Sequence, residues 1–571
     1  MKQKGIESRS YIKSFYAKNR LNFALSLVMI FLNAGANLLL SYLVGKILDA
    51  MTSGSLNDLQ CLILPVVTGI LVGLGSNLLL YYYKSRFIHR GIFQYKDTIF
   101  SALSSKNISA FTKENTSRYL SILTNDTGTI EESYLNHTLL LVYNCIILGG
   151  SLCLMTYLSW ELTLMTIVIS CLPIVSTVFF GNKLTSQERK VSDQNERFVA
   201  QIKDYLSGFS TIKGFKAEAQ AKASFSHANR TVETIKEKRR WISGILSAIS
   251  EFSGFVMQFS VFLVGTYLTI VHRSSAGAML SIVSLSNYVF QPIEVIPQYW
   301  AGRKASKRLI EKAIQISEEN SDTTGKLLSS KLACGVIFDH ASFGYQEGNT
   351  VLSNISIRFD LGKTYAIVGS SGSGKSTLLH LLMGGYRNYC GSISINGMEL
   401  REIATDSLYN TISVIDQNVF LFDASIKENI TMFQDFPAEK LKDAIQKSGL
   451  VSLVEHKGLD YKCGENGQNL SGGERQRISI ARCILRGTPI LMMDEATAAL
   501  DKKTAFEVTS SILQLPELTR IVVTHRLDRL LLQKFDQIIV LNNGEIVEQG
   551  PFDDLMNHKG YFYSLYTINN A

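Results

Sequence analysis

The stretch Gly369-Ser370-Ser371-Gly372-Ser373-Gly374-Lys375-Ser376-Thr377 decides the fold of the second half of the chain, and the rest is read outward from it. It follows an apolar strand-like run, 364–368, and opens into a helical pattern at Leu378, Leu379, Leu381 and Leu382. This is G-x-x-x-x-G-K-[ST] in a strand–loop–helix context. The glycines let successive backbone N–H groups turn inward, and the helix N-terminus adds partial positive charge, so the loop can cradle phosphates. Lys375 is placed to reach the β- and γ-phosphates, and the Ser376 hydroxyl to sit on Mg²⁺. A Gly/Ser-rich turn of chance spacing would lack both flanking patterns. The stretch reads as a nucleoside triphosphate site.

Upstream, the composition is that of a membrane protein. The 571 residues are too many for one domain, the apolar share is 46%, and mean hydropathy is +0.11. Six segments carry the roughly 20 apolar residues that a span needs: 21–46, 59–83, 138–158, 162–180, 242–271 and 276–300. A buried helix could imitate one of these, but not six in series. The net charge of +8 is spread between the apolar runs instead of forming one basic block, which favours membrane topology over nucleic-acid binding. Lys and Arg crowd the N-terminal segment and the connections 84–136 and 182–241, whereas 49–58, 159–161 and 272–275 are short and poor in charge. Both termini and the two long connections are therefore expected in the cytoplasm.

Neither long connection contains proline, and both hold helix-period apolar residues. Unstructured loops of that length are uncommon, so the spans are expected to continue as helices beyond the bilayer. They should turn near Asn107–Thr116 and near Ser207-Gly208 and Lys213-Gly214-Phe215, where short tip helices could press on a cytoplasmic domain. Within the spans Glu251 and Glu294 are costly and stand out. Either they line a polar cavity favouring cationic or amine-bearing substrates, or they only tie helices together. Pro292 and Pro297 are expected to bend the last span. The eight cysteines are scattered without a C-x-x-C pair, which indicates neither a disulfide framework nor a zinc site. The N-terminus is basic, without a cleavable signal pattern.

Composition turns polar between Arg303 and Leu332. The domains are accordingly set at 1–320, a linker 321–332, and 333–571. Beyond the phosphate loop strands and helices alternate, as in an α/β core. Gln417 follows the strand 412–415, and Leu470-Ser471-Gly472-Gly473-Glu474-Arg475-Gln476-Arg477 opens a helix. The strand 490–493 delivers Asp494 and Glu495, and His525 closes the strand 521–524.

In that order the elements resemble the ATP-binding cassette family: phosphate loop, Gln loop, L-S-G-G signature, acidic strand end, Ala499-Leu500-Asp501 and switch His. Six spans ahead of one cassette resemble an exporter-type half-transporter, and the resemblance covers nearly the whole chain. It implies a multi-domain fold, an all-α six-helix transmembrane domain followed by an α/β P-loop ATPase domain. It also implies ATP and Mg²⁺, and a second half-transporter, identical or different. Two cassettes would then sandwich ATP between the phosphate loop of one and the Leu470–Glu474 signature of the other. Asp494 would act on Mg²⁺ through its shell with Ser376 and Gln417 as ligands, Glu495 would polarise the attacking water, and His525 would hold the γ-phosphate. Tyr345 matches the aromatic that stacks on adenine, and Glu465 matches the stretch that contacts the tip helices.

Two departures occur: Glu474 stands where Gln is commoner, with little effect expected, and Ala499 stands where Ser is usual. With Glu495 and His525 both present, a hydrolysing half is expected. The implied activity is ATP-driven export of an amphipathic small molecule, drug, peptide or lipid across the cell membrane. Import of a metal–siderophore complex and a non-transporting ATP-gated regulator are the alternatives. No protease-like domain precedes the first span, so a leader-cleaving peptide exporter is not expected, and no nucleic-acid partner is.

Overall fold

The computed structural model describes residues 12–112, 116–318, 325–329, 332–346, 349–417, 419–495, 502–515 and 518–570. Two compact units emerge: Met1–Ala102 with Thr116–Ser317, and Leu103–Asn115 with Glu318–Ala571.

The first unit is built of long helices. These are α1 (Arg20–Ser53), α2 (Leu56–Ser104), α4 (His137–Leu158), α5 (Trp160–Ser207), α7 (Glu218–Ile270) and α8 (Ala276–Glu318). Two short helices, α3 (Ile108–Thr112) and α6 (Phe209–Gly214), stand at the turns between them. Helix α7 has 53 residues. That is about 80 Å at 1.5 Å per residue, against a hydrocarbon core of about 30 Å. Among the described residues, five helices are long and apolar enough to cross a membrane. The apolar stretch of α5 is Trp160–Ser176, because the expected span 162–180 runs into side chains outside the described set.

Local chemistry sets the helix ends. Gly54 closes α1 in the left-handed region at φ 67°, where a Cβ would be strained, and its N–H reaches the Ala50 and Met51 carbonyls. Ser159 opens α5 by accepting the Leu162 N–H. Pro292 and Pro297 both lie inside α8, which runs on as one helix. Where α1 ends and α8 begins, Asp49 accepts the Gly277 N–H at 2.8 Å and the Ser275 hydroxyl at 3.2 Å. Gly45 and Gly277 meet there backbone to backbone, and a Cβ on either would overlap the other's carbonyl. A buried apolar cluster with Met155, Leu162, Val261, Leu268, Ile282 and Val289 joins α4, α5, α7 and α8.

The second unit contains two sheets. The first is antiparallel, in the order β2 (Leu352–Phe359), β1 (Val336–Phe343), β4 (Cys390–Ile395), β5 (Met398–Glu399). The second runs β10 (Glu545–Gly550), β9 (Gln537–Asn542), β3 (Thr364–Gly369), β8 (Thr519–Val523), β7 (Ile490–Asp494), β6 (Ile412–Ile415). All its pairs are parallel except β10–β9. The centre of the parallel sheet is covered on both faces, which is why β7 and β8 read as continuous apolar runs. A separate helical lobe has its own core around Leu421, Ile426, Leu441, Leu453 and Ile478.

The unit boundary differs from the linker read in the sequence. Lys326 bridges to Ile403, the Leu328 N–H donates to Ser407 Oγ at 2.8 Å, and Leu328 and Leu332 pack on the sheet core. Apolar side chains at those two positions attach this segment to the second unit. The tip segment 103–115 belongs there as well, with the Ile108 N–H 3.4 Å from the Tyr409 hydroxyl.

Candidate nucleotide and catalytic site

Because neighbouring strands are parallel, β3, β7 and β8 end on the same edge of the sheet, where ligands of open α/β folds bind. β3 delivers the phosphate loop, and α9 (Lys375–Leu382) follows it. Gly369, Gly372 and Gly374 have φ of 157°, 80° and 99°. A Cβ at Gly369 would overlap the Leu541 carbonyl, and one at Gly374 would lie 2.6 Å from Leu352 Cδ2. Only glycine permits this loop, whose N–H groups open α9. The buried Lys375 ammonium donates to the Gly369 and Ser370 carbonyls at 3.1 and 2.7 Å. Burial holds its pKa below the ordinary lysine value, while Glu495 and Asp494 pull it back up.

Across the edge, the three expected catalytic residues come together. Glu495 adopts a left-handed backbone at φ 47°. Its N–H donates to the Val523 carbonyl at 3.2 Å, tying the end of β7 to β8. Glu495 Oε1 lies 2.6 Å from His525 Nε2, and Oε2 accepts from Gln417 Nε2 at 3.1 Å. The Glu495 carboxylate is thus gripped from two sides.

The site fits a metal–nucleotide. Among the described residues, Asp494 Oδ1 and Ser373 Oγ are buried without a hydrogen-bond partner, and buried polar atoms of that kind call for a ligand. Tyr345 donates to or accepts from Thr377 Oγ1 at 3.0 Å. Its ring packs edge-on against Phe343 and Tyr386 and is half exposed, which leaves a face for a base.

The signature opens α11 (Gly472–Arg486). Ser471 Oγ accepts the Glu474 N–H at 3.2 Å, and a Glu474 carboxylate oxygen accepts the Ser471 N–H at 2.7 Å. This reciprocal pair is a capping box. The sequence expectation that Glu474 has little effect overlooked this, although S-x-x-E was legible. Gln would make the same box. The segment Ala499-Leu500-Asp501 lies outside the described residues. Glu251 is exposed on α7 and Glu294 half-buried on α8.

Sequence reading missed a second group on α11. Arg482 donates to the Asn429 carbonyl at 2.6 Å, to Asn429 Oδ1 at 2.8 Å and to the Phe420 carbonyl at 2.8 Å. The fully buried Asn429 also holds Phe422 through both backbone groups. The signature helix is thereby fastened to the chain leaving Gln417. Arg482→Met is expected to destabilise the second unit by roughly 2–4 kcal/mol, read by thermal unfolding, because the fully buried Asn429 and the Phe420 carbonyl lose a charged donor.

Asp416, next to Gln417, has its carboxyl pKa raised by burial, with His380 lowering it and Asp494 raising it further. A raised folded pKa means that stability falls as pH climbs from the ordinary carboxylate range through the folded value. Asp416→Asn is therefore expected to raise Tm at neutral pH by of the order of 2 °C and to flatten its dependence over that range. Melting curves on both proteins across that range check this.

Family models agree with the two units. The model described as ABC transporter transmembrane region matches residues 23–293, and the one described as ABC transporter matches 352–498. An uncharacterized ABC transporter ATP-binding protein of Bacillus subtilis is 31% identical, over 82% of this chain and 83% of that protein. The ATP-dependent lipid A-core flippase of Blochmanniella floridana is 30% identical over 82% and 81%, and that of Escherichia coli 29% over 82% and 82%. A bacterial Atm1-family ABC exporter with ATP bound has the same fold, with TM-score 0.84 over 97% of this chain and 99% of that one, at 23% identity.

Proposed function

The chain belongs to the ABC transporter family as a membrane half fused to an ATPase half, and on that premise we propose that it works in a dimer, identical or mixed, to export an amphipathic molecule from the cytoplasm or inner leaflet. The observation carrying this reading is Glu495 held between His525 and Gln417 beside the phosphate loop. A carboxylate so oriented polarises water at the γ-phosphate, Lys375 and the loop N–H groups hold the phosphates, and Tyr345 stacks on the base. Ser376, Gln417 and, through the shell, Asp494 would hold Mg²⁺, which when bound neutralises phosphate charge. The Leu470–Glu474 segment of each chain would close on the nucleotide of the other, its capping box presenting helix N–H groups to the anion. ATP favours the closed state, and the tip helices α3 and α6 carry the shift into the membrane helices. The second unit and both termini then lie in the cytoplasm.

The test is reconstitution in inside-out vesicles. ATP-dependent accumulation of a fluorescent amphiphile, absent in right-side-out vesicles, is the expected result. Accumulation only in right-side-out vesicles would reverse the direction of transport.

A further inference from the structure

Two adjoining cavities in the first unit share Tyr81 and Lys84. The smaller, about 240 Å³, carries Asn33, Asn77, Tyr143 and Lys84 among an apolar wall of Ile30, Leu80 and Leu139. The larger, about 500 Å³, continues from Lys84 to His89, Lys96 and Glu131. On α2 the lining positions 77, 81, 84, 88, 92 and 96 recur every three or four residues, one stripe of a helix. Neither glutamate named from the sequence, Glu251 or Glu294, lines either cavity.

Two polar groups of the smaller cavity, Asn33 and Tyr143, are held by hydrogen bonds. Asn33 Nδ2 donates to the Gly73 carbonyl at 3.2 Å, and Asn37 Nδ2 reaches Asn33 Oδ1 at 3.1 Å and the Tyr143 hydroxyl at 3.4 Å. Of the two described residues that line both cavities, Tyr81 and Lys84, Lys84 is the cation. Among the described residues no carboxylate comes within ion-pair distance of it, and the nearby Glu132 accepts from Asn136 Nδ2 at 2.8 Å. A half-buried ammonium at the end of a membrane helix is costly unless an anion joins it. Lys96 extends the positive charge outward, against the carboxylates of Glu131 in the cavity wall and Glu132 near Lys84.

We propose that this stripe binds the phosphate monoester headgroup of an anionic amphiphile, with Lys84 on the phosphate, Asn77 and Tyr143 beside it, and the alkyl chain along Ile30, Leu80 and Leu139. The proposal rests on the exporter reading above and supplies its substrate class. It replaces a preference for cations with one for anions.

The test uses the full-length protein in nanodiscs of phosphatidylcholine alone and a fluorescent alkyl phosphate as probe. Dodecyl phosphate is expected to displace the probe at a concentration about tenfold or more below that of dodecyltrimethylammonium, as one charge-assisted contact would give. Inorganic phosphate at the same concentration should not displace it. Lys84→Gln should abolish the preference and Lys84→Arg keep it. The wild-type competition decides by itself if Lys84→Gln does not insert. Equal displacement by the two amphiphiles, displacement by inorganic phosphate, or unaltered binding in Lys84→Gln would overturn the proposal. ATP hydrolysis in the same discs separates the two readings. Intact hydrolysis without anion preference removes this site only, whereas absent hydrolysis removes the transporter reading.

Discussion

Glu495→Gln is expected to slow ATP hydrolysis by roughly a hundred- to ten-thousandfold while nucleotide still binds. The carboxylate accepts from His525 and Gln417 with one oxygen each. An amide of the same shape keeps one acceptor but presents an NH₂ where the other oxygen stood. It can no longer take a proton from water, and it faces a donor on one side. The phosphate loop is untouched, so affinity should persist and the nucleotide-bound closed dimer should accumulate. Phosphate release and retention of labelled ATP after gel filtration measure both. Turnover at the wild-type rate would remove Glu495 as the base.

Lys375→Ala should lower hydrolysis by roughly a hundredfold or more and weaken nucleotide binding with it, since the buried cation of the phosphate loop is lost. Its effect on folding should be the opposite of that on activity. The folded pKa of Lys375 is below the ordinary value because burial penalises the ammonium. That penalty applies at neutral pH and fades as pH rises through the folded value. Removing the charge therefore should not lower the melting temperature of the nucleotide-free protein. Paired melting and nucleotide-binding measurements check this, and a large fall in both would make Lys375 a structural residue.

The candidate nucleotide site is legible in the sequence because its residues sit in contiguous motifs whose chemistry is local. Gly369 to Thr377, Asp494, Glu495 and His525 each lie at a strand end marked by an apolar run. The grip on Glu495 was not legible, since Gln417 is 78 positions away and only the sheet order brings it close. Arg482 with Asn429 was hidden for the same reason, each looking like an ordinary helix residue. In the membrane half, hydropathy located the spans but not which face of each looks inward. The charged residues that stood out, Glu251 and Glu294, therefore drew notice that Lys84, at a span's end, did not. The capping box at Ser471 is readable in the S-x-x-E pattern of Ser471 and Glu474 at the start of the signature helix.

The crossing of Gly45 and Gly277 ties two distant positions to one another. Neither can acquire even a methyl group unless the helices α1 and α8 part, and parting them would strip Asp49 of the N–H it holds. At this point the two helices must travel as a single lever. Any separation that admits cargo has to take place along other seams of the membrane half.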